Sequence, residues 1–224
     1  MIGYSWQNTV RQSTALLLAT ACSEFGQRIE PPADPAQPID RSMAEQVEQV
    51  VTELLVLRAQ AGHRDAVGLL VEMWQNRLWR YARRQTGSDE TAKDVLQDAW
   101  TDIARGLPGL DDPARFGAWA YRIVTRRCAL WIRKQQRRRE VEREVAGMRT
   151  PAPDVQVAVD NADLVRVALG QLPPDQQTIL ELRYVEEFNI DQIAEALDIA
   201  PGTVKSRLFH ARQHLKNTLQ RITQ

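Results

Sequence analysis

From Pro201 to Leu219 the chain reads PGTVKSRLFHARQHLKNTL, and no acidic residue follows Asp198. Lys205, Arg207, Arg212, Lys216 and Arg221 supply the charge. At about 100° per residue, Thr203, Ser206, Arg207 and His210 share one helical face, while Val204, Leu208, Ala211, Leu215 and Leu219 line the opposite one. A guanidinium can bond O6 and N7 of one guanine, so Arg207 is the expected base reader. Thr203 and Ser206 are expected to make adaptable base or phosphate contacts, and Lys205 and Arg212 to anchor phosphates.

A second basic set lies upstream. Arg115, Arg122, Arg126 and Arg133 fall within about 20° of one line on a helical wheel, with Trp119 at its margin. Such a stripe can grip phosphates while the aromatic stacks on an unpaired base. The competing reading is a solvated face with Trp119 half in the core. Asp94, Gln97, Asp98 and Thr101, spaced i, i+3, i+4 and i+7, form a third, polar face.

Enzyme chemistry is not supported. The histidines are His63, His210 and His214; the last two are i, i+4 but have no third ligand nearby, so no metal site is called for. No Gly-rich phosphate loop or nucleophile constellation occurs, and no cofactor or small-molecule substrate is implied. Cys22 and Cys128 lack metal spacing and read as reduced thiols of a cytoplasmic protein. No run approaches the ~18 apolar residues of a membrane span. Ala15 to Cys22 is apolar but short and preceded only by Arg11, so export is not expected either.

The elements that must position these groups are all helical. Ile190, Ile193, Ala194 and Leu197 mark a short amphipathic helix; Asp198 to Pro201 is a turn; the basic helix follows. This is the pattern of a helix-turn-helix DNA reader. Upstream, Ala66 to Tyr81 and Ala92 to Leu107 carry apolar stripes, with Gly87 as a C-cap and Ser88 as an N-cap between them. Asp112-Pro113 restarts a helix on which Phe116, Ala120, Ile123, Val124 and Leu130 are expected to face inward. No strand-period segment occurs, so the fold class is all-α: two small helical domains joined by a flexible linker, the C-terminal one a helix-turn-helix. Residues 1–42, with Pro31, Pro32, Pro35 and Pro38, are expected to be a disordered extension. Met43 is a candidate translation start.

Net formal charge is zero over 224 residues, but the charge is segregated. Asp160 to Ala200 holds nine acidic and two basic residues, whereas Arg126 to Arg143 holds eight basic and two acidic ones. The separation reads as two surfaces for partners of opposite sign.

From about Arg64 to Leu219 the chain resembles the bacterial RNA polymerase sigma factors of the extracytoplasmic-function (ECF) group. AKDVLQDAW (Ala92 to Trp100) and RFGAWAYRIV (Arg115 to Val124) are similar to segments of that family's first conserved domain. The segment from Leu172 to Leu215 matches its second nearly end to end. The resemblance implies a region 2-like domain at 43–134, a linker at 135–159 and a region 4-like domain at 160–224. It implies three partners, which are the polymerase core enzyme, promoter DNA and an anti-sigma factor. It also assigns roles. Asp94, Gln97, Asp98 and Thr101 would bind the core enzyme. Arg115, Trp119, Arg122, Arg126 and Arg127, with the Gly109 to Ala114 loop, would lie at the −10 element, where the strands open. Thr203, Val204, Lys205, Ser206, Arg207, His210 and Arg212 would lie at the −35 element. Three positions depart from the family pattern: Arg126 and Leu130 stand where Asn and Asp are common, and His210 where Arg is common. A regulator binding an operator without polymerase is the alternative; it would carry a ligand or phosphorylation domain in place of the Ala92 to Val124 pattern.

These assignments separate two substitutions. Arg207→Ala is expected to lose discrimination between −35 sequences. Arg126→Ala should weaken DNA binding across sequences and flatten its salt dependence. Unchanged open-complex formation by Arg126→Ala at every salt concentration would rule out the basic stripe.

Overall fold

The apolar stripes condense into eight α-helices among the described residues, 41–146 and 161–223 of a computed structural model. They are α1 (Arg41–Gln60), α2 (Arg64–Thr86), α3 (Asp89–Gly106), α4 (Phe116–Ala146), α5 (Asn161–Gly170), α6 (Pro174–Tyr184), α7 (Ile190–Leu197) and α8 (Pro201–Ile222). Two 3-10 turns, Leu107–Gly109 and Pro113–Arg115, connect α3 to α4, and no strand occurs among the described residues. The expectations for the N-terminal extension and for the later part of the linker fall on residues 1–40 and 147–160, outside the described set.

Helices α1 to α4 bury one face each in a shared core. Leu70, Trp74, Leu78 and Tyr81 of α2 meet Val95, Leu96 and Ile103 of α3 and Phe116, Tyr121 and Val124 of α4. Trp74 and Phe116 meet edge to face at 5.5 Å, a favoured aromatic geometry. The Trp74 indole N–H finds an acceptor in Thr52 Oγ1 at 3.2 Å, which satisfies a donor that burial would otherwise make costly. Between α2 and α3 the chain turns at Gly87, whose φ of 73° places it in the left-handed region. Ser88 then caps α3 by accepting from Thr91 N–H.

Gln60, at the end of α1, holds the loop between α3 and α4. Its amide donates to the Leu107 carbonyl at 3.0 Å and to the Leu110 carbonyl at 2.8 Å. Asp112 accepts from Ala114 N–H at 3.0 Å, and the chain enters α4 with Arg115 in the preceding 3-10 turn.

Helix α4 differs from expectation in two ways. Leu130 is half exposed rather than turned inward. The helix also continues through 135–146, where a linker was expected. That stretch is rich in Arg, Glu and Gln, good helix formers with little apolar content, so propensity rather than packing accounts for its helicity. At 1.5 Å per residue those twelve residues advance about 18 Å, not the ~40 Å of an extended chain.

Helices α5 to α8 form the second assembly, around Ile179, Leu182, Ile193, Val204, Leu208 and Ala211. Asn189 and Gln192 close a full capping box on α7: each side chain accepts from the other's backbone N–H at 2.9 Å. The helix ends at Asp198, which takes a left-handed conformation at φ 55°. Residues Glu45–Gln224 make one compact unit, in which α7 packs along α4. The two assemblies are therefore in direct contact.

Gly117 shows how closely the first core is packed. A Cβ there would lie 2.9 Å from Trp74 Cη2, and that ring is fixed by its hydrogen bond and by Phe116. Gly117→Ala should therefore destabilise the first assembly by about 1–3 kcal/mol. All six tryptophans precede residue 132, so urea unfolding followed by intrinsic fluorescence reports on this half; an unchanged midpoint would refute the crowding.

A candidate nucleic-acid interface

The basic face of α8 is built as the sequence implied. Pro201 occupies the first turn, where its missing N–H costs nothing, and Val204, Leu208 and Ala211 anchor the helix in the core. Thr203, Lys205, Ser206, Arg207, His210 and Arg212 are all exposed. The Arg212 guanidinium bonds back to the Leu208 carbonyl at 3.2 Å. Val204 is a correction. It is fully buried, so it supports the exposed polar face from beneath and is not itself accessible to a partner such as DNA. Phe209 is 54% exposed beside His210, its ring 5.5 Å away. An imidazole and a phenyl ring thus adjoin the basic residues.

The arginine stripe of α4 is less simple. Arg115, Arg122 and Arg126 are exposed, as expected. Arg115 Nε, however, donates to Glu195 at 2.8 Å, and Arg122 pairs with Asp198 at 2.7 Å. Both acids belong to the helix-turn-helix. Arg126 remains 71% exposed at its side chain, 3.9 Å from Asp102. Arg127, off the stripe but expected beside it, turns towards α3, where it donates to Asp102 at 2.6 Å and lies 3.8 Å from Asp98. The hydrogen bond from Arg127 holds the Asp102 carboxyl below the usual carboxylate range. Arg127 therefore braces α4 on α3.

Trp119 is half-buried. Its ring lies over Gly106, where a Cβ would come within 2.9 Å, and tilts against Phe116 at 6.1 Å. The ring thus belongs partly to the core, as the competing reading held.

Asp94, Gln97, Asp98 and Thr101 are all exposed on α3. Gln97 and Thr101, with Val71, Trp100, Ala104 and Arg105, line an open groove of about 630 Å³ between α2 and α3. The Trp100 indole nitrogen is buried there without an acceptor. Among the described residues no cluster of His, Cys, Asp and Glu could hold a metal ion. No described helix is long and apolar enough to cross a membrane. Burial pushes the Cys128 thiol up to about 12, which keeps it protonated and unreactive; Cys22 lies outside the described residues.

Sequence reasoning missed the cluster that joins the two assemblies. Glu186, 6% exposed, sits just after α6. Its carboxylate accepts from Arg77 at 3.2 Å, from Arg84 at 2.5 Å, and from the Tyr121 hydroxyl. Arg77 also donates to the Glu186 carbonyl at 3.3 Å and lies 5.4 Å from the Trp74 ring. Glu181 accepts from Arg84 and, at 2.7 Å, from Gln85; burial still raises its carboxyl above the ordinary range. Tyr121 meets Phe188 edge to face at 4.9 Å, and burial, with Glu186 beside it, pushes its hydroxyl far up. The only sequence signal was the excess of acids between Asp160 and Ala200. It was read as a surface for an outside partner, whereas several of these acids meet arginines of the same chain.

Comparison with known proteins gives a consistent result. Residues 70–138 match the family model "Sigma-70 region 2" and residues 162–215 match "Sigma-70, region 4". The ECF RNA polymerase sigma factor SigL of Mycobacterium tuberculosis is 36% identical over 150 residues, which cover 65% of this chain and 84% of that protein. SigW of Bacillus subtilis is 25% identical over 177 residues, 74% of this chain and 95% of SigW. The solved structure of CnrH in complex with the cytosolic domain of CnrY is similar in fold, with a TM-score of 0.54 at 24% identity over 76% of this chain and 97% of that one. RpoE of Bartonella quintana, solved in complex with the anti-sigma factor NepR, has a TM-score of 0.53 at 21% identity, over 68% of this chain and 96% of that chain.

Burial separates support from contact on α8. Val204→Ala should cost on the order of 2 kcal/mol through the cavity it leaves, and Arg207→Ala should cost almost nothing. Thermal melts followed by circular dichroism test this; equal losses for both would mean that Arg207 is structural.

Proposed function

Because the chain belongs to the ECF group of RNA polymerase sigma factors and so directs core polymerase to promoters, we propose a division of its surfaces among three tasks. Helix α8 reads the −35 element in the major groove through Thr203, Ser206 and Arg207, with Lys205 and Arg212 on phosphates and His210 beside them. Arg115, Arg122 and Arg126 on and before α4 hold the phosphates of the −10 region. There, unpaired bases are captured against the loop at 109–114 and the exposed part of Trp119. The exposed face Asp94, Gln97, Asp98 and Thr101, with the groove beside Trp100, receives the core enzyme.

The observation that carries this reading is the exposed, acid-free face of α8 together with the arginine line of α4, in two family domains of the expected order. No step requires nucleotide hydrolysis by this chain. Base capture by stacking and phosphate contacts offsets an unpairing cost of a few kcal/mol per base. The chain acts in the cytoplasm, where polymerase and promoter are, and is not itself an enzyme. An anti-sigma partner is part of the proposal, supported by the fold shared with RpoE of Bartonella quintana, which binds one.

The direct test is in vitro transcription with core polymerase and a genomic library, followed by mapping of start sites. Starts preceded by one shared pair of sequence boxes are expected with the wild-type chain. Asp98→Arg should lower core binding in pull-down at least about tenfold, by reversing charge on the docking face. Failure of the wild-type chain to bind core enzyme, with operator-like binding intact, would favour a regulator instead.

A further inference from the structure

Helix α1 carries none of the side chains assigned above to DNA or to core enzyme, yet it has two apolar faces. One faces the core: Val51, Leu55 and Val56 are buried there, and Thr52 accepts from the Trp74 indole at 3.2 Å. The other consists of Met43, Val47, Val50, Leu54 and Leu57. Val47 is half-buried, whereas Met43, Val50, Leu54 and Leu57 are 57%, 64%, 37% and 53% exposed. At about 100° per residue this second set spans about 80° of the helix and is centred about 150° from the core-facing set. A contiguous apolar strip held out to water in this way marks a surface that receives a partner.

The spacing of the strip points to the shape of that partner. Met43, Val47, Val50, Leu54 and Leu57 alternate steps of four and three residues, which is the a/d seam of a two-stranded coiled coil. Glu53 then falls at a g position and Arg58 at an e position, one on each edge of the seam. In a parallel pair, a g residue meets the e residue five positions on in the other helix, so Glu53 would face Arg58 of the partner subunit at both edges. An antiparallel pair would instead bring Glu53 against Glu53 of the partner subunit. Within the chain, Glu53 accepts from the neutral amide of Gln49 at 3.1 Å. Arg58 lies 3.5 Å from Asp65, but a guanidinium has N–H donors enough for two carboxylates. A free helix of this length would be marginal in water. Helix α1 is already fixed by the core, so pairing carries no cost of helix formation.

We infer that α1 pairs two copies of this chain in parallel, through Met43, Val47, Val50, Leu54 and Leu57, with Glu53 and Arg58 closing both edges. The contact is isologous, the same strip serving on each copy about a twofold axis. Five apolar side chains from each copy bury roughly 900 Å² in total, at the low end for specific complexes. The dimer is therefore transient, with a dissociation constant on the order of 10 µM. The pairing uses no residue of the DNA-facing or core-binding surfaces.

The test is sedimentation velocity of the full chain between about 1 and 200 µM, where the wild type should pass from one chain to two. Val50→Glu/Leu54→Glu should weaken association at least about tenfold by placing charge in the seam. Its thermal melt at about 1 µM, where the wild type is monomeric, should match wild type, because neither side chain belongs to the core. Glu53→Arg should weaken association about fivefold by setting like charges at both edges, and Glu53→Arg/Arg58→Glu should restore it. Leu57→Cys in a Cys22→Ser background should form a disulfide-linked dimer on mild oxidation, since d positions meet in a parallel pair. A wild-type chain that stays monomeric at about 200 µM overturns the pairing. With such a monomer, loss of stability in Val50→Glu/Leu54→Glu would assign the strip to residues 1–40 of the same chain, and an unchanged melt would leave it to solvent or to a different protein. A dimer indifferent to Val50→Glu/Leu54→Glu overturns it too, as does failure of the charge exchange to restore association in a variant that melts normally.

Discussion

One carboxylate, that of Glu186, governs how this molecule is put together. It is almost fully buried, and two guanidinium groups and a phenol from the other helical assembly surround it. An ionised carboxylate taken from water loses several kcal/mol of hydration, which returns only if charge and hydrogen bonds replace it. Arg77, Arg84 and Tyr121 supply that replacement, and the result is close to balance rather than a large gain. Removing one side would leave uncompensated charge; separating both sides lets water restore each. Such a joint specifies a geometry without locking it.

Around that joint the remaining contacts fall into place by magnitude. In the pairs Arg115–Glu195 and Arg122–Asp198 the arginine side chains are 58% and 45% exposed. Each contributes no more than about 1 kcal/mol, and less as salt rises. Their significance is therefore positional: they decide what the arginines face, not whether the fold survives. Stability comes from the apolar core that runs through both assemblies, where Tyr81, Phe116, Tyr121, Ile179 and Ile193 are fully enclosed. Tyr121 belongs to both systems, with one ring contact to Tyr81 and another to Phe188.

The interface residues divide in the same physical terms. On α8 the exposed polar face and the buried face are separated cleanly, because a 3.6-residue period sorts side chains once one face is packed. On α4 the sorting is less clean. Arg126 stays on the exposed line, whereas Arg127, one residue on, rotates by about 100° and is captured by Asp102 on α3. Trp119 sits at the edge, its ring over Gly106 and part of its surface accessible. These neighbours differ in role through a single step around the helix.

The sequence by itself determined the helices and most of their faces, the turn between α7 and α8, the family and thus the function. Those properties depend on periodicity, caps and local composition, all of which are encoded within a few residues of where they act. It erred locally where packing overrode pattern or propensity extended it: Leu130 at the surface, Val204 beneath the exposed face of α8, and α4 running on past residue 134. Only the tertiary structure decided which opposite charges meet. Arg77 and Glu186 stand 109 residues apart in the chain, and Arg115 and Glu195 eighty apart. Electrostatic attraction depends on distance in space and on the dielectric between the partners. A sequence records that acids and bases are present in separate blocks; it takes a folded core to bring Glu195 and Asp198 against one arginine line and to bury Glu186 beside it.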